Sequence, residues 1–169
     1  MGTMIIILFI LLDQWSKGLA ERLIGLGGVF TVIPGFFELT CIHNKGAAWS
    51  LFSSQAWGLV FLIVLSSIVL FALLWIMRKA EDPRARAVLI LLIAGSAGNL
   101  IDRLRMGAVT DFLSFIFGSY VFPTFNLADS LITIGAILLI FFSIKDREFL
   151  NVPFGLAKEE GDRDKVEEK

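Results

Sequence analysis

A chain of 169 residues that is 56% hydrophobic, with 16 Phe, 4 Trp and a mean hydropathy of +0.78, is too apolar for an ordinary water-soluble domain. Its net charge of −1 gives no support to nucleic acid or another strongly charged partner. Its one cysteine, Cys41, excludes an intrachain disulfide and any cysteine-built metal site.

A bilayer span needs roughly 20 mostly apolar residues, and four stretches meet or approach that length. The first, about 3–22, is interrupted by Asp13, Gln14 and Lys17. It reads as a retained helix and not a cleaved signal peptide. Its start carries no basic side chain, and Asp13 and Lys17 fall where a signal peptide's apolar region ends. An external loop over 23–55 follows, in which Val29-Phe-Thr-Val-Ile33 and Phe36-Phe-Glu-Leu-Thr-Cys-Ile42 flank Pro34-Gly35. Two β-prone runs about a turn signal predict a small hairpin on the membrane surface. The second span, about 56–77, has no charge at all, and the third, about 87–104, bears Asn99, Asp102 and Arg103 near its end. A second external loop, 105–124, contains Phe112-Leu-Ser-Phe-Ile-Phe117, read as an aromatic interfacial segment. The fourth span, about 125–144, opens with Asn126 and Asp129. Residues 1–145 thus form one membrane domain, and 146–169 a charged tail expected to be disordered.

Lysine and arginine set the orientation. Arg78, Lys79, Arg84 and Arg86 lie between spans two and three, and six more follow span four. The other two connections hold only Arg22, Lys45 and Arg105. The positive-inside rule places both termini and the 78–86 loop in the cytoplasm. Spans one and three then run outward and span four inward. Lys17, Asn99, Asp102, Arg103, Asn126 and Asp129 arrive at one outer level, which predicts a single polar site there. In span three, Gly95, Gly98, Asn99 and Asp102 share a face, as do Asn126, Asp129, Ser130 and Thr133 in span four. The glycines, Ser96, Ser130 and Thr133 are read as helix-packing residues.

Ionisable residues in or beside lipid point to function. Asp111 and Asp129 held together would share a proton: one carboxylate could activate water while the other polarises a peptide carbonyl. Structural or ion-pathway roles stay open from the residues alone. A proton- or ion-coupled transporter using Asp13, Asp102 and Asp129 is the chief alternative. Other chemistries lack their residues. His43 is the one histidine and no His-Glu-x-x-His motif occurs. Ser16 and Lys17, as helix neighbours, point apart, and Asp13 with Lys17 reads as an i, i+4 pair.

Four blocks between Leu11 and Gly135 make a more specific pattern: Leu12-Asp-Gln-Trp-Ser-Lys17; Asn44-Lys-Gly-Ala-Ala-Trp-Ser50; Gly98-Asn-Leu-Ile-Asp-Arg103, continuing to Gly107-x-Val109-x-Asp111-Phe112; and Phe122-Pro-x-Phe-Asn126-x-Ala128-Asp129-Ser130. In content and order they resemble the bacterial lipoprotein signal peptidases (signal peptidase II). Trp49, where that family more often has Phe, and Ala94-Gly-Ser-Ala-Gly98, in place of a more glycine-rich run, are departures. The resemblance implies an all-α membrane enzyme of the inner membrane, with four helices and a small external β-element. It also implies an aspartic endopeptidase that cuts prolipoproteins before a diacylglyceryl-modified cysteine. By the same carry-over Asp111 and Asp129 are the catalytic pair. Asn44, Gly46, Asn99, Arg103, Asn126 and Ala128 line the substrate site, and Asp13 and Lys17 support it. Lipidated precursors and membrane lipid are the implied partners, with no obligate protein partner, metal or organic cofactor.

Overall fold

The computed structural model describes residues 2–46, 57–146 and 149. Four helices are long and apolar enough to cross a membrane: α1 (Gly2–Leu23), α2 (Gly58–Lys79), α3 (Pro83–Met106) and α4 (Leu127–Lys145). They match the expected spans, with α3 beginning four residues earlier than 87 because Asp82 and Pro83 start it. The Asp82 side chain accepts the Arg84 N–H, and Pro83 needs no N–H in the first turn. Gly107, at φ +70°, ends α3 in a left-handed cap that glycine adopts without steric cost.

Helix α3 is the centre of the bundle and packs against α1, α2 and α4. Its buried stripe includes Leu89, Ile93, Ala94, Gly95 and Gly98, whereas α2 buries only Gly58 and Leu62. Large side chains such as Met4, Leu11, Val60, Phe71 and Ile137 remain exposed around the outside, as lipid contact requires. The glycines of α3 permit close approach. A Cβ at Gly95 would meet the Ala128 carbonyl and Ile132, and one at Gly98 would meet the Asp13 carboxylate and Ala128. The expected packing role of these glycines therefore holds, and Gly98 also makes room for a charged group.

The hairpin is present, as β1 (Val29–Ile33) and β2 (Phe37–Asn44). The segment read as interfacial, Phe112 to Phe117, is instead most of a strand, β3 (Val109–Phe117), paired antiparallel with β2. A two-residue strand, β4 (Tyr120–Val121), completes a sheet of order β1-β2-β3-β4. The reason is the open edge of β2, whose unpaired backbone groups β3 satisfies. Stacking of Phe115 on Phe37 (4.7 Å) and on Phe125 (5.9 Å) fixes the aromatic side chains.

Two connections bring the sheet to the helices. Phe112 and Leu113 donate their N–H groups to the Phe125 carbonyl at 3.0 and 2.8 Å, and Phe125 returns its N–H to Leu113 at 3.1 Å. The chain just before α4 is thereby strapped to the strand that carries Asp111. On the other side, Thr110 Oγ1 donates to Glu21 of α1 at 2.6 Å. Of the tail expected from residue 146, Asp146 and Phe149 are described: Asp146 caps α4, and Phe149 is buried near Ala80, Ala85, Leu89 and Ile93. The rest of that expectation lies outside the described residues.

Candidate functional site

The buried polar residues gather at the end that carries the sheet. A cavity of about 350 Å³ opens there, and Asn44, Gly46, Asn99, Arg103, Asp111 and Asp129 all contribute to its lining. Phe122, Phe125, Val109 and Ile132 form an apolar wall. Thr133 also lines it, which corrects the reading of that residue as helix packing alone. Ser130 is not in the lining; its Oγ donates to the Asn126 carbonyl at the start of α4 at 3.0 Å. Asp13, Lys17, Asn126 and Ala128 stand behind the lining, buried.

Asp111 comes from β3 and Asp129 from the first turn of α4. Each carboxylate accepts hydrogen bonds from amide donors. Asp111 Oδ1 accepts from Asn126 Nδ2 at 2.7 Å and Oδ2 from Asn44 Nδ2 at 3.1 Å. Asp129 Oδ1 accepts from Asn99 Nδ2 at 2.7 Å and Oδ2 from the Asn126 backbone N–H at 3.3 Å. Asn126 touches both acids because it is the N-cap of α4: its Oδ1 takes the Asp129 N–H at 2.9 Å, leaving its amide nitrogen for Asp111. Burial, and then the neighbouring charge of Asp129, push the Asp111 carboxyl up to about 7, against the opposing hydrogen bonds from Asn44 and Asn126. Such a pair can divide the duties of acid and base near neutral pH.

Behind the pair lies a cluster only partly foreseen. Lys17 bonds Asp13 at 2.8 Å, the i, i+4 contact that its spacing implies, but it also bonds Asp102 at 2.8 Å and Asn99 Oδ1 at 3.0 Å. Asp13 Oδ1 accepts the Ala128 N–H at 2.9 Å, so Ala128 ties the start of α4 to α1 through its backbone. Asp102 and Gln14 complete the layer through a 2.8 Å hydrogen bond. Sequence reasoning placed Asp102 at the right depth but gave it no part in this arrangement. Its position one turn from Asn99, on the same face, was the available signal.

Arg103 lines the cavity and donates to the Gly46 carbonyl at 3.4 Å. His43, by contrast, is not in the cavity lining and pairs with Glu21 at 3.4 Å. Cys41 is fully buried, and burial raises its thiol above the usual range.

A four-helix bundle with a strand-bearing end and a carboxylate-lined cavity defines a class of multi-pass membrane protein, and comparison gives the class a family. The sequence model described as signal peptidase (SPase) II matches residues 5–145. The chain belongs to the signal peptidase II family. It is 36% identical over 141 residues to the lipoprotein signal peptidase of Syntrophotalea carbinolica, covering 82% of this chain and 88% of the relative. The lipoprotein signal peptidase of Desulforapulum autotrophicum is 41% identical, with 79% and 85% covered. A bacterial membrane enzyme solved by the in meso method at 2.3 Å resolution superposes with a TM-score of 0.78 at 35% identity, over 86% of this chain and 88% of that one.

Proposed function

We propose that this protease processes bacterial prolipoproteins by cutting before the diacylglyceryl-modified cysteine, with Asp111 and Asp129 as its catalytic pair. The observation that carries this reading is the pair itself: two carboxylates on different elements, held by amide donors, at one cavity. In the proposed step the ionised carboxylate takes a proton from water as the water oxygen attacks the scissile carbonyl carbon. The partner's proton goes to the carbonyl oxygen. Collapse of the resulting gem-diol breaks the C–N bond: the leaving nitrogen takes up a proton from the pair, and a gem-diol hydroxyl returns one to it. The chemistry requires no metal or organic cofactor.

Asn44, Gly46, Asn99 and Arg103 are proposed to contact the precursor, and Asn126 and Ala128 to hold the pair in place. Membrane lipid is the second partner, since the acyl chains of the modified cysteine stay in the bilayer beside the cavity. Both termini and the 78–86 loop are assigned to the cytoplasm and the cavity to the outer face. Lysine and arginine at the end opposite the sheet support this. Cys41 is buried, so single cysteines added to either loop can be labelled over a silent background. We assign residues 1–145 to one peptidase domain and 146–169 to a cytoplasmic tail. The transporter alternative fits less well, because its path would need polar groups buried along the bundle to both faces, and among the described residues the buried ones lie at one end.

The test is turnover of a diacylglyceryl-modified precursor by purified, monodisperse protein. Wild type should cleave it, and Asp111→Asn and Asp129→Asn should each lose roughly 10³-fold or more while remaining folded. Near-normal turnover in one variant removes that residue from the mechanism. Near-normal turnover in both ends the aspartic reading.

A further inference from the structure

Lys17 carries a full positive charge into the bundle and stays 3% exposed. Such a charge is weak evidence for stability, since well-packed apolar residues in place of a buried ion cluster are often as stable or more so. Its geometry shows another use. An ammonium has three donors and no acceptor. Those of Lys17 meet one acceptor each, on Asp13 (2.8 Å), Asp102 (2.8 Å) and Asn99 (3.0 Å).

The Asn99 contact has a consequence for the cavity. Because the ammonium can only donate, the Asn99 atom facing it must be the oxygen. The nitrogen is then forced to the other side, where it lies 2.7 Å from Asp129 Oδ1. Asn126 adds a second constraint. Its oxygen is committed to the Asp129 N–H, so its nitrogen faces Asn99 Oδ1 at 3.2 Å and Asp111 Oδ1 at 2.7 Å. Neither amide can turn over without setting oxygen against a carboxylate oxygen or nitrogen against the ammonium. With Lys17 gone, Asn99 would be held from behind only by the longer Asn126 contact.

We propose that Lys17 is a positioning residue for the aspartate pair: acting through Asn99, it keeps an N–H donor, and never a carbonyl, turned toward Asp129. This rests on the catalytic reading of Asp111 and Asp129. Asp102 and Asp13 hold the ammonium in place and are themselves fixed by the Gln14 side chain and the Ala128 N–H. The arrangement leaves α1 with no side chain at the reacting atoms, yet gives it control of one of them.

Two doubly substituted proteins of equal charge test it. Lys17→Met with Asp102→Asn removes the donor to Asn99; Lys17→Gln with Asp102→Asn restores an N–H donor without the charge. Both keep Asp111 and Asp129, so their failure to differ would leave the aspartate pair standing. The Met form should lose about tenfold or more in kcat with KM within about twofold. The Gln form should recover most of that loss. Equal kcat in the two proteins, or a change in KM alone, would overturn the proposal, because a purely structural role affects both alike. Should neither insert as a monodisperse protein, the wild type decides. Lys17 is the one buried lysine among the described residues. Nitrogen-15 NMR should therefore show a protected, slowly exchanging ammonium signal across the pH range of turnover. A wild-type spectrum without such a signal would sink the idea.

Discussion

Two clusters of one cation between two aspartates sit near opposite ends of α3, and they differ in little except water. Asp13, Lys17 and Asp102 meet at 2.8 and 2.8 Å with every side chain at most 3% exposed. Asp82, Arg84 and Asp146 meet at 2.6 and 3.0 Å, with Arg84 43% exposed. Contact lengths alone would rank them as equals. In the exposed cluster, solvent competes for every charge and screens each pair. In the buried one nothing competes, so each hydrogen bond must be made by protein, and each one made fixes the orientation of the next group. That difference lets the buried cluster govern a site while the exposed one only closes a helix end.

The largest effect should come from breaking the buried cluster on one side. Lys17→Met alone leaves two carboxylates facing each other without a cation. A loss of about 3–5 kcal/mol is expected in detergent unfolding. Adding Asp13→Asn and Asp102→Asn should return most of it. A melt of Lys17→Met matching wild type would mean that water reaches the cluster and that the contrast is false.

Asp111 sharpens the comparison through pH. Its carboxyl is raised from 3.8 to about 7, so folding favours the protonated form. The folded state then binds the proton that the unfolded state has released, and stability falls as pH rises from about 4 to about 7 before levelling. Asp111→Asn should flatten that slope. The gain at pH 8 is at most about 4 kcal/mol, reduced because Asn44 and Asn126 lose a charged acceptor. No gain is expected at pH 4. An unchanged slope in the Asn variant would assign the pH dependence to another group.

What could be read from the chain follows the same division. Apolar runs revealed the four helices, and Pro34-Gly35 revealed the hairpin, because each signal is local. Alternating helix direction brought the polar residues to one depth, which the local runs suffice to show. Strand β3 was missed because Phe112 to Phe117 forms a strand only against β2, from which it is separated by two helices. The pairing within the site was also hidden. Asn126 lies beside Asp129 in sequence, yet its side-chain nitrogen goes to Asp111, since its oxygen is used in capping. Asn99 reaches Asp129 from α3 to α4. Asp102 showed its face but not its partner, for the Lys17 contact depends on how α1 crosses α3.

Arg103 stands between the two clusters in exposure, and Arg103→Lys keeps its charge while losing the planar fork. If the guanidinium holds precursor at the cavity, KM should rise about tenfold, roughly 1.4 kcal/mol, with kcat little changed. Kinetic constants equal to wild type would make Arg103 an interfacial anchor instead.

The smallest effect belongs to the exposed cluster. Asp82 performs two jobs: it accepts the Arg84 backbone N–H as the cap of α3 and bonds the Arg84 side chain, which holds its carboxyl below the usual range. Only the first depends on a group that substitution of Arg84 leaves in place. Asp82→Ala should therefore cost about 1 kcal/mol, as loss of an N-cap does. Arg84→Gln should leave both the melting temperature and precursor turnover at wild-type values. Arg84 also lies over Phe142 and Phe149 at 5.7 and 5.4 Å, and glutamine would lose those cation–aromatic contacts. If Arg84→Gln proves as damaging as Asp82→Ala, the rings and not the cap hold this end together. The exposed cluster would then share with the buried one a cation that its neighbours cannot replace.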